Sequence, residues 1–356
     1  MSLVAIPAAQ AVAELARFDA VIDARSESEY AHDHLPGARN WPTLDDAQRA
    51  AVGTLYKQVG SFEARRLGAP MAAANIARHI ATHAAGLGRD WRPLVYCWRG
   101  GKRSGALAIV LDQIGYRVSL IEGGYKAFRA AMLADLEQRV AQLRLRVVCG
   151  TTGSGKTRLL HALARAGEQV LDLEDLACHR SSVLGAVPGV PQPSQKGFDT
   201  RIWDVLRAID PQRPVYVESE SRKVGNVAVP LSLIERMRAA PCLVARLPDD
   251  ERVALLMEDY RNFVDDPVAF CERLDVLTEL RGKAVVTRWK TLVQAGSVDT
   301  VVRELLQLHY DPGYLQSMRR NFAAFEAAPA WDIEDRSPAA MDRAAAAIVA
   351  AAPTIG

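Results

Sequence analysis

The sequence predicts two α/β domains, each built on a parallel sheet, followed by a helical C-terminal region. The length of 356 residues suits two domains at about 100–200 residues each. Short apolar strands alternate with helices in both halves, which is typical of parallel sheets covered by helices. Each half also contains a glycine-rich loop between a strand and a helix. We place the domains at 1–135 and 144–356, with a linker helix at 136–143.

Three apolar segments of the first domain are predicted strands, at 20–22, 94–96 and 118–121. Apolar residues at helical spacing predict helices over 71–83 and 104–114. In the second domain the predicted strands are 145–149, 169–173, 215–218 and 242–246. Beyond about residue 250 the pattern is helical, and we expect the alanine-rich tail at 339–356 to fray.

Composition and charge describe an ordinary globular chain, with 49% hydrophobic and 24% charged residues. The net charge of +2 leaves a nucleic-acid partner open, because basic residues can cluster on one face. The 5 cysteines show no CxxC spacing, which favours a reducing compartment. The N-terminal segment has no basic leader, and no apolar run approaches the roughly 20 residues that span a bilayer. We expect a cytoplasmic protein without membrane association.

A reactive cysteine is predicted where the second strand of the first domain ends. Cys97 follows an apolar strand and precedes a basic, glycine-containing loop and a helix. Amides at a helix N-terminus and nearby cations both favour an anion and lower a cysteine pKa from about 8.5. The pattern predicts a thiolate at the mouth of an anion cradle, surrounded by the basic residues Arg99, Lys102 and Arg103.

Segments around this loop resemble the rhodanese (sulfurtransferase) domain over about 110 residues. The resemblance is carried by 21–30, 34–40 and 115–125 together with the loop. It implies that Cys97 carries a persulfide or perselenide, and that Asp23 and Arg25 are architectural residues beside the loop.

The loop departs from common rhodaneses in its length, because Arg103 lies six residues after Cys97. This spacing is one residue longer and is that of cysteine phosphatases, whose loop wraps a phosphate. We therefore expect an anion larger than a single sulfur at Cys97. The nearby pair His32 and His34 has no Cys or carboxylate cluster to complete a metal site, so we predict none.

A phosphate-binding P-loop opens the second domain. Residues 150–157 fit G-x-x-x-x-G-K-[ST], follow an apolar strand and precede an apolar helix. Backbone amides would cradle phosphates, Lys156 would reach the terminal ones, and the Thr157 hydroxyl would bind Mg²⁺, a candidate ion here. The predicted phosphate-binding residues are Gly150, Gly153, Ser154, Gly155, Lys156 and Thr157.

Two groups of carboxylates compete for the acid/base or Mg²⁺ role at this loop. Glu218 and Glu220 end one predicted strand, and Asp172, Glu174 and Asp175 follow another. Either group can face the phosphate. It is equally compatible with the sequence that these carboxylates only contact solvent at the ends of their strands. No N-K-x-D motif for a nucleobase occurs, so the ligand need not be a nucleoside triphosphate.

Four segments, 96–104, 173–180, 192–198 and 218–225, resemble in order the tRNA 2-selenouridine synthase family across nearly the whole chain. The resemblance implies conversion of the tRNA wobble 2-thiouridine to 2-selenouridine, with selenophosphate as the selenium donor. It further implies an S-geranyl intermediate made from geranyl diphosphate. Both donors are co-substrates, so no tightly bound cofactor is expected, and a selenophosphate-producing enzyme is a candidate partner.

Basic residues within the matched segments are candidates for binding tRNA, because phosphate contacts dominate such interfaces. They are Arg180, Lys196, Arg222 and Lys223. A further group of basic residues, which are weaker candidates, surrounds Trp289. These residues are equally compatible with a solvent-exposed helix face. We expect His161 to pack within the P-loop helix.

Two other functions remain open from the sequence. One is a P-loop kinase or NTPase fused to a sulfurtransferase or a Cys-x5-Arg phosphatase-like domain, which would turn over ATP or GTP. The other is a tRNA-binding module with a degenerate thiol domain, against which the presence of both Cys97 and Arg103 argues.

Overall fold

The structure, a computed structural model, describes residues 3–180, 185, 187, 189–261 and 265–351. The chain forms two compact units, Met1–Arg139 with Pro193–Ala208, and Val140–Gln192 with Ile209–Gly356. The segment Pro193–Ala208 therefore belongs to the first unit although it lies in the second half of the sequence.

The first unit contains a five-stranded sheet in which every neighbouring pair is parallel, with the order β1-β5-β4-β2-β3. Its strands are β1 Val4–Ile6, β2 Ala20–Asp23, β3 Ala38–Asn40, β4 Pro93–Tyr96 and β5 Ser119–Ile121. All four residues of the central strand β4 are buried, as expected for a strand covered on both faces. The three strands predicted from the sequence are confirmed, and β3 was not predicted.

The helices of the first unit are α1 Ala8–Ala13, α2 Glu27–His32, α3 Asp46–Gln58, α4 Ser61–His83, α5 Lys102–Ile114, α6 Gly124–Gln142 and α9 Gln195–Arg207. A 3-10 turn lies at Leu15–Arg17. Helix α6 includes the predicted linker helix and begins some ten residues before it. Both predicted helices of this half are present, and α4 begins ten residues before its predicted start.

The second unit repeats the parallel arrangement, with the order β12-β11-β6-β8-β7. Its strands are β6 Arg144–Cys149, β7 Gln169–Leu171, β8 Pro214–Glu218, β11 Cys242–Arg246 and β12 Ala330–Asp332. A two-stranded antiparallel hairpin joins β9 Lys223–Val224 to β10 Val227–Ala228. Strand β7 ends two residues earlier than predicted, because Asp172 already caps the next helix.

The helices of the second unit are α7 Lys156–Arg165, α8 Leu173–Ala177, α10 Leu231–Ala239, α11 Asp249–Asp259, α12 Pro267–Leu274, α13 Thr278–Arg281, α14 Lys283–Gln294, α15 Val298–Leu305, α16 Asp311–Asn321 and α17 Pro338–Ala351. Short turns of 3-10 and π-helix occur at Asp275–Leu277 and Leu306–Tyr310. Among the described residues, no helix is long and apolar enough to cross a membrane.

The expectation of a fraying tail is wrong for the described part of that segment. Helix α17 buries Met341, Ala345 and Ile348, which are at most 2% exposed, against the P-loop helix α7. Small side chains such as that of Ala345 allow this close approach, and the larger side chains of Met341 and Ile348 hold the helix in place. Residues 352–356 lie outside the described part of the chain.

Candidate active site

Both loops singled out from the sequence follow central strands and open into a helix at the carboxyl edge of their sheet. Parallel α/β sheets place ligands at this edge. In each case a glycine with positive φ is the N-cap residue, Gly101 at φ 69° before α5 and Gly155 at φ 79° before α7. Neither N-cap supplies a side chain to bond the first helical amides. Both helix N-termini are therefore open to an anion.

Helix α6 fixes the shape of the Cys97 loop. The amides of Tyr125 and Lys126 donate to the carbonyls of Cys97 and Trp98 at 2.8 and 3.1 Å. A Cβ at Gly124 would lie 2.3 Å from the Cys97 carbonyl oxygen, so only glycine allows this approach. In the described part of the chain, the amides of residues 98–103 donate to no protein acceptor. The loop thus presents a row of unused N–H groups.

Cys97 lies at the base of this loop, not at its mouth as the sequence suggested. The residue is 2% exposed, and its Sγ accepts a hydrogen bond of 3.2 Å from the Ser104 hydroxyl. Cys97 is buried because it directly follows Tyr96, the last residue of the buried strand β4, and packs into the apolar core of the unit.

The three basic residues of the loop differ in their surroundings. Arg99 and Lys102 are exposed. Arg103 is half-buried and forms a two-pronged ion pair with Glu29, at 2.6 and 3.3 Å. Burial raises the pKa of Glu29, but Arg103 and Arg49 outweigh this effect and lower it overall. Glu29 therefore holds the Arg103 guanidinium beside the loop as a fixed carboxylate partner.

A buried ion pair supports the same loop from the side of β2. Arg25 and Asp23 are 2.6 Å apart and at most 1% exposed. Asp23 also accepts from the Tyr96 hydroxyl at 2.7 Å, and the Arg25 guanidinium lies 4.1 Å from the centroid of the Tyr125 ring. These contacts join β2, β4 and α6 around the residue that precedes the cysteine.

Helix α9 brings a predicted tRNA-binding residue to the cysteine loop. Arg129 on α6 holds α9 through Asp199 at 2.5 Å and the Lys196 carbonyl at 3.0 Å. Lys196 Nζ then lies 5.8 Å from the ring centroid of Trp98, which is 41% exposed. Trp98 itself stacks on Tyr125 at 5.4 Å. A cation and an exposed aromatic ring thus adjoin the cysteine loop.

The P-loop is constrained by close backbone approach. A Cβ on Gly150 would meet the Ser154 hydroxyl at 2.3 Å and the Ala245 carbonyl at 2.8 Å. Lys156 Nζ donates to the carbonyls of Gly150 and Thr151 at 2.7 and 3.3 Å, so the ammonium is folded over its own loop. The Ser154 hydroxyl is buried and has no partner among the described residues.

A pocket of about 540 Å³ opens above this loop, and residues of the helical C-terminal region also line it. The loop, Arg180 and Ser219–Ser221 contribute its polar side. Leu255, Tyr260 and Met318, from the C-terminal half, contribute apolar surface. The pocket therefore offers both phosphate donors and room for an apolar group, which is typical of small-molecule sites.

Tyr314 in α16 is a pocket residue that the sequence did not reveal. Its hydroxyl accepts from the Gly150 amide at 2.8 Å and shares a hydrogen bond of 2.7 Å with Ser219. Lys156 Nζ lies 5.2 Å from the centre of its ring. Burial and the nearby Cys149 raise the pKa of Tyr314, so its proton remains available for hydrogen bonding. No local motif marks this tyrosine, because only tertiary packing brings it to the loop.

The structure brings both candidate carboxylate groups to the P-loop. Glu174 accepts from the Thr157 hydroxyl at 3.2 Å, and its amide donates to Glu218 at 2.9 Å. Glu218 is 1% exposed, and burial followed by repulsion from Asp172, Glu220 and Glu174 raises its pKa well above the usual range. Glu174 and Glu220 line the pocket, whereas Glu218 lies beneath it.

The prediction that His161 packs within the P-loop helix needs correction. The His161 side chain is 58% exposed, lines the P-loop pocket and bonds Asp172 at 2.9 Å, so it is not packed in the helix. Asp172 caps α8 through the Asp175 amide at 2.8 Å and does not line the pocket. Among the described residues, no group of at least 3 His, Cys, Asp or Glu side chains is arranged to hold a metal ion.

The four tRNA-binding candidates are divided between the two units. Lys196 belongs to the first unit, whereas Arg180, Arg222 and Lys223 belong to the second. These three are exposed, and Arg180 lines the P-loop pocket. The weaker group is not a stacking surface, because Trp289 is 0% exposed and donates to Glu304.

Two protein-family models match this chain. The family model for the tRNA 2-selenouridine synthase AAA domain matches residues 143–275, and the family model for the rhodanese-like domain matches residues 8–131. A tRNA 2-selenouridine synthase of Nitrosomonas europaea is 36% identical over 258 residues, which cover 71% of this chain and 66% of that protein. That of Marinobacter nauticus is 34% identical over 250 residues, covering 67% of this chain and 65% of the relative.

The chain belongs to the tRNA 2-selenouridine synthase family. The matched part spans just under two thirds of the length of these relatives. Within this family member, the rhodanese-like match contains the Cys97 loop, and the AAA-domain match contains the P-loop and its carboxylates. Tyr314 lies beyond both matches. The predicted fold, a rhodanese-like parallel-sheet domain followed by a P-loop domain with a helical C-terminal region, is confirmed.

Proposed function

We propose that this protein converts the wobble 2-thiouridine of tRNA to 2-selenouridine. The thiocarbonyl sulfur is first alkylated with geranyl diphosphate, and selenium from selenophosphate then displaces the alkylated sulfur. The observation that carries the proposal is the pair of open, glycine-capped loops in a chain of this family, one beginning at a cysteine and one containing a lysine. Each loop would serve one of the two reactions.

The first reaction is assigned to the P-loop. The uridine sulfur attacks C1 of geranyl diphosphate, so a C–S bond forms while the C–O bond to diphosphate breaks. Lys156 and the amides of residues 153 and 155–157 would stabilise the charge on the leaving diphosphate. Lys156 would exchange its two loop carbonyls for phosphate oxygens, which adds an ion pair to each hydrogen bond. The apolar surface of Leu255 and Met318 would contact the geranyl chain.

The second reaction is assigned to the Cys97 loop. Selenium attacks C2 of the S-alkylated base, a C–Se bond forms, and the C–S bond breaks with release of geranylthiol. The alkylated sulfur leaves far more readily than sulfide, which explains why alkylation comes first. The unused amides of residues 98–103 would hold the anionic selenium donor.

Mg²⁺ is retained as an accessory ion of the first reaction. The Thr157 hydroxyl and the Glu174 carboxylate, 3.2 Å apart, are oxygen ligands of the kind that Mg²⁺ prefers. If the ion takes part, geranylation will fall on chelation with EDTA and recover when Mg²⁺ is restored, and the Thr157→Val variant will respond weakly.

Binding of tRNA is assigned to basic residues of both units. Lys196 with Trp98 offers a cation beside an exposed ring at the cysteine loop, a combination that suits a nucleotide. Arg180 offers a cation at the P-loop pocket. Affinity for tRNA is expected to fall steeply with salt, because each phosphate contact releases counterions. A cytoplasmic location and a selenophosphate-producing partner enzyme belong to the same proposal.

Nucleoside mass spectrometry of tRNA treated with the purified full chain tests the assignment. Lys156→Ala should abolish S-geranylation, whereas Cys97→Ser should retain geranylation and lose selenation. Lys283→Ala and Cys178→Ser serve as matched controls, because they remove a lysine and a cysteine outside both loops. Turnover of ATP or GTP without geranyl transfer would instead favour a P-loop NTPase.

A further inference from the structure

We propose that Cys97 accepts a phosphoryl group rather than selenium. Its sulfur attacks the phosphorus of selenophosphate, forms a phosphocysteine and releases hydroselenide as the nucleophile for the base. Water then hydrolyses the phosphocysteine. The inference rests on the proposed function for the identity of the donor, and it gives the cysteine loop a phosphoryl-transfer activity.

The first support is the number of unused hydrogen-bond donors in the loop that begins at Cys97. The amides of residues 98–103 are unused within the described part of the chain, and they follow Cys97 directly. A phosphoryl group carries three strong acceptor oxygens, each with two lone pairs, so six donors match it. The single terminal atom of a perselenide leaves most of these donors without an acceptor. The cradle therefore suits a phosphoryl group.

The second support is the position of Arg103. Glu29 engages it through two terminal nitrogens, at 2.6 and 3.3 Å, and lies on one side of the guanidinium. A guanidinium has five N–H donors, so three remain for an anion. The pair holds the planar group at the end of the loop without saturating it. Arg103, in the first turn of the helix that follows the loop, thus keeps donors for an anion that the loop holds.

The third support is the Ser104 hydroxyl, which donates to Cys97 Sγ at 3.2 Å and is 2% exposed. Hydrolysis of a phosphocysteine expels the cysteine sulfur as a thiolate. A hydroxyl aimed at that sulfur stabilises the negative charge that develops on it. Ser104 is therefore a positioning residue for the second half of the phosphoryl-transfer cycle.

The electron balance separates the two possible points of attack. When sulfur attacks phosphorus, an S–P bond forms, the P–Se bond breaks, and selenium leaves with the electron pair as hydroselenide. Water then breaks the S–P bond and yields phosphate, so neither phosphorus nor selenium changes oxidation state. When sulfur attacks selenium, the electron pair stays on phosphorus, which must leave reduced as phosphite. The fate of phosphorus thus reports the mechanism.

The test uses the full chain with selenophosphate labelled on phosphorus, in the absence of tRNA. Acid-quenched protein is digested, and phosphorus and selenium on the Cys97 peptide are counted separately, because the two adducts add nearly the same mass. Phosphorus NMR identifies the released product. We expect labelled phosphorus on Cys97, phosphate in solution, and loss of both enzyme-dependent signals in Cys97→Ser. Selenium on Cys97, or phosphite as the product, overturns the proposal.

Variants of Ser104 distinguish a role in phosphocysteine hydrolysis from a purely structural role, because a structural role would not slow hydrolysis selectively. Ser104→Ala should slow hydrolysis at least tenfold, so phosphocysteine accumulates while its formation rate changes little. Ser104→Thr, which keeps the hydroxyl, should restore turnover. Equal slowing of formation and hydrolysis in Ser104→Ala would exclude the assigned role.

The outcome is separable from that of the proposed function. If selenation of tRNA depends on Cys97 and selenium is found on the cysteine, the proposed function holds and the phosphoryl-transfer inference is wrong. If phosphocysteine forms but tRNA is not modified, the phosphoryl-transfer inference holds and the proposed function is wrong.

Discussion

Replacing Glu218 with glutamine should make the stability of the second unit less sensitive to rising pH. Glu218 is 1% exposed, and one of its oxygens accepts from the Glu174 amide at 2.9 Å. The other oxygen has no partner among the described residues. Burial first, and then the neighbouring carboxylates, raise the pKa of Glu218. The folded state therefore binds a proton here that the unfolded chain loses near pH 4.3.

The sign and size of the effect follow from proton linkage. A group with a raised folded pKa favours folding most below its unfolded pKa, and this contribution is lost as pH rises through the folded pKa. Between the unfolded and the folded pKa of Glu218, each unit by which the pH rises lowers the free energy of unfolding by about 1.4 kcal/mol. Glutamine keeps the shape and the acceptor oxygen, so Glu218→Gln should remove this slope and stabilise the unit as pH rises.

Denaturant unfolding of the full chain between pH 5 and 6, in EDTA, measures the effect. Hydrogen-exchange protection of the peptide that contains β8 reports the second unit. We expect the stability difference between Glu218→Gln and the parent protein to grow as pH rises over that range, by up to about 1.4 kcal/mol per pH unit. Glu235→Gln, at an exposed position on α10, is the matched control. A difference that does not change with pH would refute a protonated, buried Glu218.

Three further substitutions test contacts around the loops. Tyr314→Phe removes the hydroxyl that accepts the first P-loop amide, and should lower the free energy of unfolding by about 1–3 kcal/mol in urea titrations. Arg25→Met leaves the Asp23 carboxylate buried without its partner and should cost about 3–5 kcal/mol, unless Asp23→Leu is added to remove the charge. Gly124→Ala places a methyl group 2.3 Å from the Cys97 carbonyl oxygen, at a residue with positive φ. This substitution should slow the rate at which Cys97 is alkylated or modified at least tenfold. The control Ala127→Gly should change that rate little.

Much of the fold could be predicted because its causes are local. Apolar runs bounded by glycine and polar residues predicted the central strands, and the strand–loop–helix order placed both loops at the correct sheet edge. Strands β3 and β12, each at one edge of its sheet, were not predicted, because each has only three residues and carries exposed positions. Short edge strands owe their structure to the neighbour that they pair with, not to their own pattern.

The surroundings of the two loops could not be predicted in the same way. The burial of Cys97, the ion pair of Arg103 with Glu29, and the contact of Tyr314 with Gly150 all join distant positions. Their geometry depends on how whole elements pack, and a single side chain carries no local sign of it. The error for His161 has the same origin, because helical spacing alone does not say which face of α7 meets α17.

The order of residues alone was sufficient to predict the two glycine-capped strand–helix turns and the family. A glycine that permits positive φ, a cysteine or lysine and the following helix are neighbours in the chain. Packing in three dimensions decided which groups surround each turn. It seated the sulfur at the base of its loop beside Ser104 and brought Lys196 to Trp98 from about one hundred residues away. Backbone turns are local consequences of residue type, whereas hydrogen-bond partners and burial arise only when separate elements share one core.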